Sequence, residues 1–193
     1  MKRLMSERAV FLDRDGTINE EIGYLFDPER VCLIHGAAEA LVRLREAGFR
    51  LIVVSNQSGV ARGLFTEDDL HKVNHRLASL LEADGAKVDA YYFCPHHPRH
   101  GEMRECECRK PKTGMAVSAS REFGIDLSLS YFVGDKATDI ELGKNAGGKT
   151  VLVLTGFGNE EQSLLQEKGI APDMVSASLP EAADWIIEDL KKS

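Results

Sequence analysis

An α/β fold built on a doubly wound parallel sheet is predicted by three features of this 193-residue chain. Short apolar, β-branched runs alternate with helical stripes. The strongest of those runs end in acidic or hydroxyl-bearing turns. No repeat, low-complexity segment or linker breaks the alternation. Strand–helix alternation implies a parallel sheet covered on both faces. In such sheets ligands sit beyond the carboxyl ends of the strands, where strand order reverses.

The elements follow in order. Ala9–Leu12 is a short apolar run read as a buried strand. Gly36 to Ala47 carries Ala37, Ala40, Leu41 and Leu44 at helical spacing, and Gly48 closes it. Arg50 to Ser55 is β-branched and reads as a second strand. Thr66 is placed to cap a helix running to about Asp84, with Asp68 and Asp69 suited to its first turn. Asp89 to Phe93 is a third strand, followed by an irregular stretch from Cys94 to Lys112. Thr113 to Phe123 is a helix stopped by Gly124, and Tyr131–Val133 a fourth strand. Thr138 to Asn145 is a helix and Lys149 to Leu154 a fifth strand. Gly158 to Lys168 and Leu179 to Lys191 read as helices, with a short strand at Asp173 to Val175 between them. Trp185 is expected in the core.

Residues 1–193 suit one domain with one core. A net charge of −7 argues against nucleic acid as the partner. No apolar run is long enough to cross a bilayer. Met1 to Arg8 is short and polar, without a secretory core, and reads as a leader into the first strand. A cytoplasmic protein is expected, and nothing requires more than a monomer. Cys32, among Val31, Leu33 and Ile34, is expected to be a buried thiol.

Asp13 and Asp15 follow the first strand directly, and Gly16 allows a sharp turn. Two carboxylates so close call for a cation, and a hard ion such as Mg²⁺ takes oxygen ligands from them and from a phosphate. Cys94, a nearby histidine, Cys106 and Cys108 supply soft ligands in two close pairs, a set able to close a tetrahedron around zinc. His96, His97 and His100 compete for the fourth place. Four protein ligands leave no open position, so the zinc would be structural and would order the loop before Arg109 and Lys110. His71 and His75 read as a solvated helix face, and Arg14 and Arg62 as solvated arginines.

Asp13–Thr17 resembles motif I of the haloacid dehalogenase-like phosphatases. Ser55–Asn56, Lys110 and Gly134–Asp139 resemble their motifs II, III and IV, in that order and each after a predicted strand. The resemblance covers nearly the whole chain. It implies a Rossmann-like fold and a Mg²⁺-dependent phosphatase. Asp13 would be the nucleophile, Asp15 the general acid and then base, Ser55 and Lys110 the phosphoryl-binding groups. Asp13, Asp15 and Asp135 would hold Mg²⁺. Asp139 would either support that ion or be an ordinary exposed acid. The same resemblance selects His96, with Cys94, Cys106 and Cys108, for Zn²⁺.

The spans between motifs leave no room for a cap domain. Two branches of the family carry such a zinc loop, one acting on a heptose bisphosphate and the other on histidinol phosphate. Gly23–Leu25, Asp27–Glu29, Ser55–Gly63 and Cys94–Pro98 resemble the heptose branch, which removes the C7 phosphate of a 1,7-bisphosphate; the loop is somewhat shorter than in some of its members. By that resemblance Glu21, Ile22, Gly23, Tyr24, Asn56, Gln57, Ser58, Arg109 and Lys136 would line the site for a small sugar bisphosphate. Arg109 would grip the phosphate that is not cleaved. An inert zinc-stabilised binding module and a phosphatase acting on DNA 3′-phosphates are the other readings. The full acidic, hydroxyl and lysine set weighs against the first, and the acidic chain against the second.

Overall fold

The computed structural model describes residues 7–192, so most of the expected leader lies outside the described residues. Six strands form one parallel sheet: β1 (Ala9–Leu12), β2 (Arg50–Asn56), β3 (Ala90–Cys94), β4 (Tyr131–Gly134), β5 (Lys149–Val153) and β6 (Met174–Ser176). Their order is β3-β2-β1-β4-β5-β6, so the direction of winding reverses between β1 and β4. The helices are α1 (Ala37–Glu46), α2 (Glu67–Ala83), α3 (Gly114–Phe123), α4 (Ala137–Ala146), α5 (Gly158–Glu167) and α6 (Leu179–Leu190).

Side chains of a strand alternate between faces, and both faces of this sheet are buried. Val10 and Leu12 of β1 join Leu51, Val53, Tyr131 and Val133 in a core covered by α1, α2 and α6. Ala9 and Phe11 join Ile52, Val54 and Phe132 in a second core under α3. Phe11 and Phe132, paired in register, stack at 4.7 Å. The runs of β1 and β4 are unbroken because every position along them is inside, and those of β2 and β5 nearly so; β3 and β6, at the two edges of the sheet, are only partly buried.

Thr66 caps α2 as expected: its hydroxyl accepts from the Asp69 N–H at 3.2 Å, and Asp69 accepts from the Thr66 N–H at 3.1 Å. Gly124 ends α3 in the left-handed region, at φ 68°. β3 begins at Ala90, one residue later than expected, although the Asp89 N–H still donates to the Leu51 carbonyl at 2.8 Å. The Asp89 carboxylate accepts from the Leu51 N–H at 2.8 Å and pairs with Arg45 and Arg50. Cys32 is exposed, not buried, although it neighbours the buried Val31. Trp185 is half-buried, edge-on to Tyr131. Only a loop, one 3-10 turn and α1 separate β1 from β2, and α2 alone fills the span from β2 to β3, so no cap is inserted.

Burial works against the Asp89 charge, but the Leu51 N–H and the two arginines outweigh it and hold its carboxyl below the usual range. A carboxylate with a depressed pKa stabilises the fold above its unfolded pKa and ceases to as pH falls through the folded value. Asp89→Asn is therefore expected to cost about 1–2 kcal/mol at pH 7. Urea melts at decreasing pH should show that deficit shrinking below about pH 4.

Candidate active site

The site lies where β1, β2 and β4 end side by side. The Asp13 N–H donates to the Val133 carbonyl at 2.9 Å, which continues the β1–β4 ladder one residue past the strand. That contact fixes the backbone from which the Asp13 carboxylate projects. Gly16 turns the chain at φ 79°, and a Cβ there would lie 2.1 Å from Asp135 Oδ2. Glycine is thus required for both conformation and space.

Lys110 arrives from the loop after β3. Its backbone is held by Asn56, which accepts from the Lys110 N–H at 3.0 Å and donates to its carbonyl at 3.2 Å. Its ammonium, on a residue only 3% exposed, donates to the Val54 carbonyl and meets Asp139 Oδ1 at 2.6 Å and Asp13 Oδ1 at 2.9 Å. Burial disfavours the Lys110 charge, yet the two carboxylates outweigh burial and raise its pKa. Burial likewise acts to raise Asp13, but Lys110 and Lys136 reverse that and hold its carboxyl below the ordinary range. Asp13 is therefore anionic at neutral pH and faces the cleft.

Asp139 is buried, which removes the reading of an exposed acid. Its second oxygen accepts from the Lys136 N–H at 3.1 Å at the start of α4. Asp135 lies beneath the cleft floor, fully buried. Its Oδ2 accepts from the Phe157 N–H at 2.9 Å; its Oδ1 has no hydrogen-bond partner and only the Lys136 ammonium at 3.6 Å. Burial and the Asp13 charge push Asp135 up to about 7.

One oxygen from each of Asp13, Asp135 and Asp139 lies within 4.8 Å of the others. Three carboxylates against two ammonium groups, with one buried oxygen left unpartnered, are a donor set that fits a hard divalent cation. The Asp15 carboxylate is not in that cluster. Asn19 Nδ2 and Gln57 Nε2 donate to it at 2.9 Å, and Arg14 at 2.8 Å. This ring of donors reaches both carboxylate oxygens and keeps the Asp15 side chain outside the three-acid cluster. Arg14 itself is 1% exposed, not solvated.

The cleft has a volume of about 440 Å³. Asp13, Asp15, Glu21, Gly23, Tyr24, Ser55, Asn56, Gln57, Ser58, Arg109, Lys110 and Lys136 all line it. Ile22 does not: it packs against the core under the loop. Gly59, Thr138 and Phe157 line it without having been expected. Phe157 could have been found from its place just past β5, at the same sheet edge. Its ring lies 5.0 Å from the Lys136 ammonium, which also pairs with Glu21 at 3.0 Å.

Beside the cleft, Cys94, His96, Cys106 and Cys108 converge. Cys94 Sγ lies 3.7 Å from Cys106 Sγ and 3.3 Å from Cys108 Sγ; His96 Nδ1 lies 3.7 Å and 3.3 Å from Cys94 and Cys108. A tetrahedron with zinc–sulfur bonds of about 2.3 Å spaces sulfurs by about 3.8 Å and sulfur from nitrogen by about 3.6 Å. The cluster fits. His97 and His100 turn instead to Arg62, at 3.0 Å and 3.2 Å. Arg109 Nη1 donates to the His96 carbonyl at 2.9 Å, which ties the arginine at the cleft wall to the ligand loop.

Residues 107–182 match the family model described as HAD-hydrolase-like. Together with the whole-length relatives below, this places the chain in the haloacid dehalogenase-like hydrolase family; it is a magnesium-dependent phosphomonoesterase. More particularly, it is 44% identical to the D-glycero-D-manno-heptose-1,7-bisphosphate 7-phosphatase of Thermosynechococcus vestitus, over 96% of this chain and 98% of that one. It is 41% identical to the D-glycero-beta-D-manno-heptose-1,7-bisphosphate 7-phosphatase of Yersinia pestis, over 94% of this chain and 90% of that one. Among solved structures, the D,D-heptose 1,7-bisphosphate phosphatase of B. bronchiseptica, complexed with magnesium and phosphate, superposes with a TM-score of 0.83 at 31% identity, covering 94% of this chain and 99% of that one. Among the described residues no helix is long and apolar enough to cross a membrane.

Proposed function

We propose that this chain hydrolyses the C7 phosphate of D-glycero-D-manno-heptose 1,7-bisphosphate through an ester on Asp13, as a step in nucleotide-heptose synthesis. The observation that carries the reading is the Asp13 carboxylate, anionic between buried Lys110 and Lys136 and open to a polar cleft. An Asp13 oxygen attacks phosphorus in line as the bond to the C7 oxygen breaks. Asp15, in protonated form, gives its proton to that leaving oxygen. Asp15 then takes a proton from water, whose oxygen attacks phosphorus and frees Asp13 and inorganic phosphate. Lys110 and the Ser55 hydroxyl offset charge on the phosphoryl oxygens. Mg²⁺ held by Asp13 and Asp135 supplies further neutralisation when bound.

Arg109 is suited to a bidentate grip on the C1 phosphate. Its link to His96 makes the zinc cluster a mount for that grip. Zinc on the four ligands would order the 95–113 loop without joining the chemistry. A single-domain monomer in the reducing cytoplasm, acting on a small sugar phosphate and not on nucleic acid, suits the grouped thiols and the net charge of −7.

Purified protein with Mg²⁺ should release phosphate from C7 of the heptose bisphosphate faster than from histidinol phosphate. The reverse preference would move the assignment to that substrate, and no release from either would leave an inert binding module. Cys106→Ser should lose its bound zinc by metal analysis. Its Tm should fall by about 5 °C, the shift expected for roughly 2 kcal/mol in a chain of this size. Activity should fall chiefly through a raised KM. Unchanged zinc content and KM would separate the loop from substrate binding.

A further inference from the structure

Arg14 sits between the two acids of the first motif and is almost wholly inside the protein. Its side chain folds sideways onto the carboxylate of the next residue. Nε lies 3.1 Å and 3.2 Å from the two Asp15 oxygens, and Nη2 lies 2.8 Å from Oδ2. A planar guanidinium in this fork fixes the plane of the carboxylate as well as its position. The remaining arm, Nη1, donates to Asn74 Oδ1 at 2.9 Å. Asn74 stands on α2, 60 residues away, and does not line the cleft.

We propose that Asn74 and Arg14 form a brace by which α2 positions Asp15 for proton transfer, with Asn74 the positioning residue outside the cleft. The proposal rests on the reading of Asp15 as proton donor and acceptor. A carboxyl that gives up a proton and later takes one from water must return to the same place in each turnover. The Asn19 and Gln57 amides also hold Asp15, but both are neutral and neither leads outside the site. Gln57 ties the carboxylate to the end of β2 within the cleft, whereas Arg14 carries the contact on to a helix outside it. Loss of the Asn74 oxygen leaves the inner guanidinium arm without its anchor and the fork free to tilt. A small misplacement of this kind costs a large share of rate without touching affinity.

The test separates leaving groups. A sugar alcohol needs a proton as it departs, whereas nitrophenolate does not. Asn74→Leu, assayed as full-length enzyme with Mg²⁺, is expected to lower kcat on the heptose bisphosphate by about tenfold or more, with KM unchanged. With enzyme in excess, its first-turnover release of nitrophenolate from p-nitrophenyl phosphate is expected to match the parent. Asn74→Asp, which keeps an oxygen facing Arg14, should recover most of the lost turnover. Equal fractional losses on both substrates would reduce the brace to a packing contact and overturn the proposal, as would parent-like turnover of the sugar phosphate. Asp15→Asn is run in parallel. If it keeps parent turnover on the heptose bisphosphate, the role of Asp15 fails; if it is inert while Asn74→Leu is unimpaired, the brace alone fails.

Discussion

Lys110→Met is expected both to stop turnover and to weaken the fold. The lysine is the shared cation of two buried carboxylates, 2.9 Å from Asp13 and 2.6 Å from Asp139. Methionine fills similar space but leaves both anions without it. Removing one member of a buried charge network costs about 3–5 kcal/mol. The pH dependence has a definite sign. In the parent, burial pushes Asp139 up to about 6, against the pull of Lys110 and with Asp13 adding to the rise. Loss of Lys110 raises it further. A group whose pKa is raised in the folded state adds stability below its unfolded value, and that support is lost as pH rises through the folded value. The deficit in denaturant melts should therefore be smallest near about pH 4 and grow toward about pH 8. A pH-independent deficit would mean that packing, not charge, is what Lys110 contributes.

Asp13→Asn should cost less stability than Lys110→Met and more activity. The amide removes one anion from a crowded acidic cluster, and Lys110 keeps its contact with Asp139. The lost attraction of Lys110 and Lys136 for the Asp13 anion outweighs the relief of Asp135 and Asp139, so unfolding stability at pH 7 should fall by about 1–2 kcal/mol. Turnover should fall by on the order of 10⁴-fold or more, as when a nucleophile is removed from a site whose members act together. Substantial residual turnover in this variant would point to direct attack by water.

Much of this is legible in the sequence. The central strands are buried on both faces, so they appear as unbroken apolar runs, and the residue just after each run is at the working edge of the sheet. Asp13 stands just after its run, Ser55 at the end of its own and Asp135 two residues past the fourth, and the Gly16 turn is as tight as its sequence suggests. What escaped reading depends on side chains meeting across the fold. Arginine is mostly a surface residue, so Arg14 looked solvated; only the meeting of Asp15 with α2 explains its burial. The direction of the Asp15 carboxylate was hidden for the same reason, because Asn19 and Gln57 are ordinary amides until they converge on it. Cys32 misled in the other direction. Apolar neighbours in sequence do not bury a residue on an irregular segment, where no regular alternation sets its face. Phe157 acts through its backbone N–H on Asp135, a role no side-chain pattern announces.

One chemical event underlies the whole account: transfer of phosphorus to an oxygen of Asp13. It can be caught by mixing excess enzyme and Mg²⁺ with substrate carrying radioactive phosphorus in its C7 phosphate, quenching in acid within the first turnover, and mapping the labelled peptide. The account predicts acid-stable label on the peptide bearing Asp13, rising and then decaying into inorganic phosphate. Continued phosphate release with no label on that peptide at any time would contradict it.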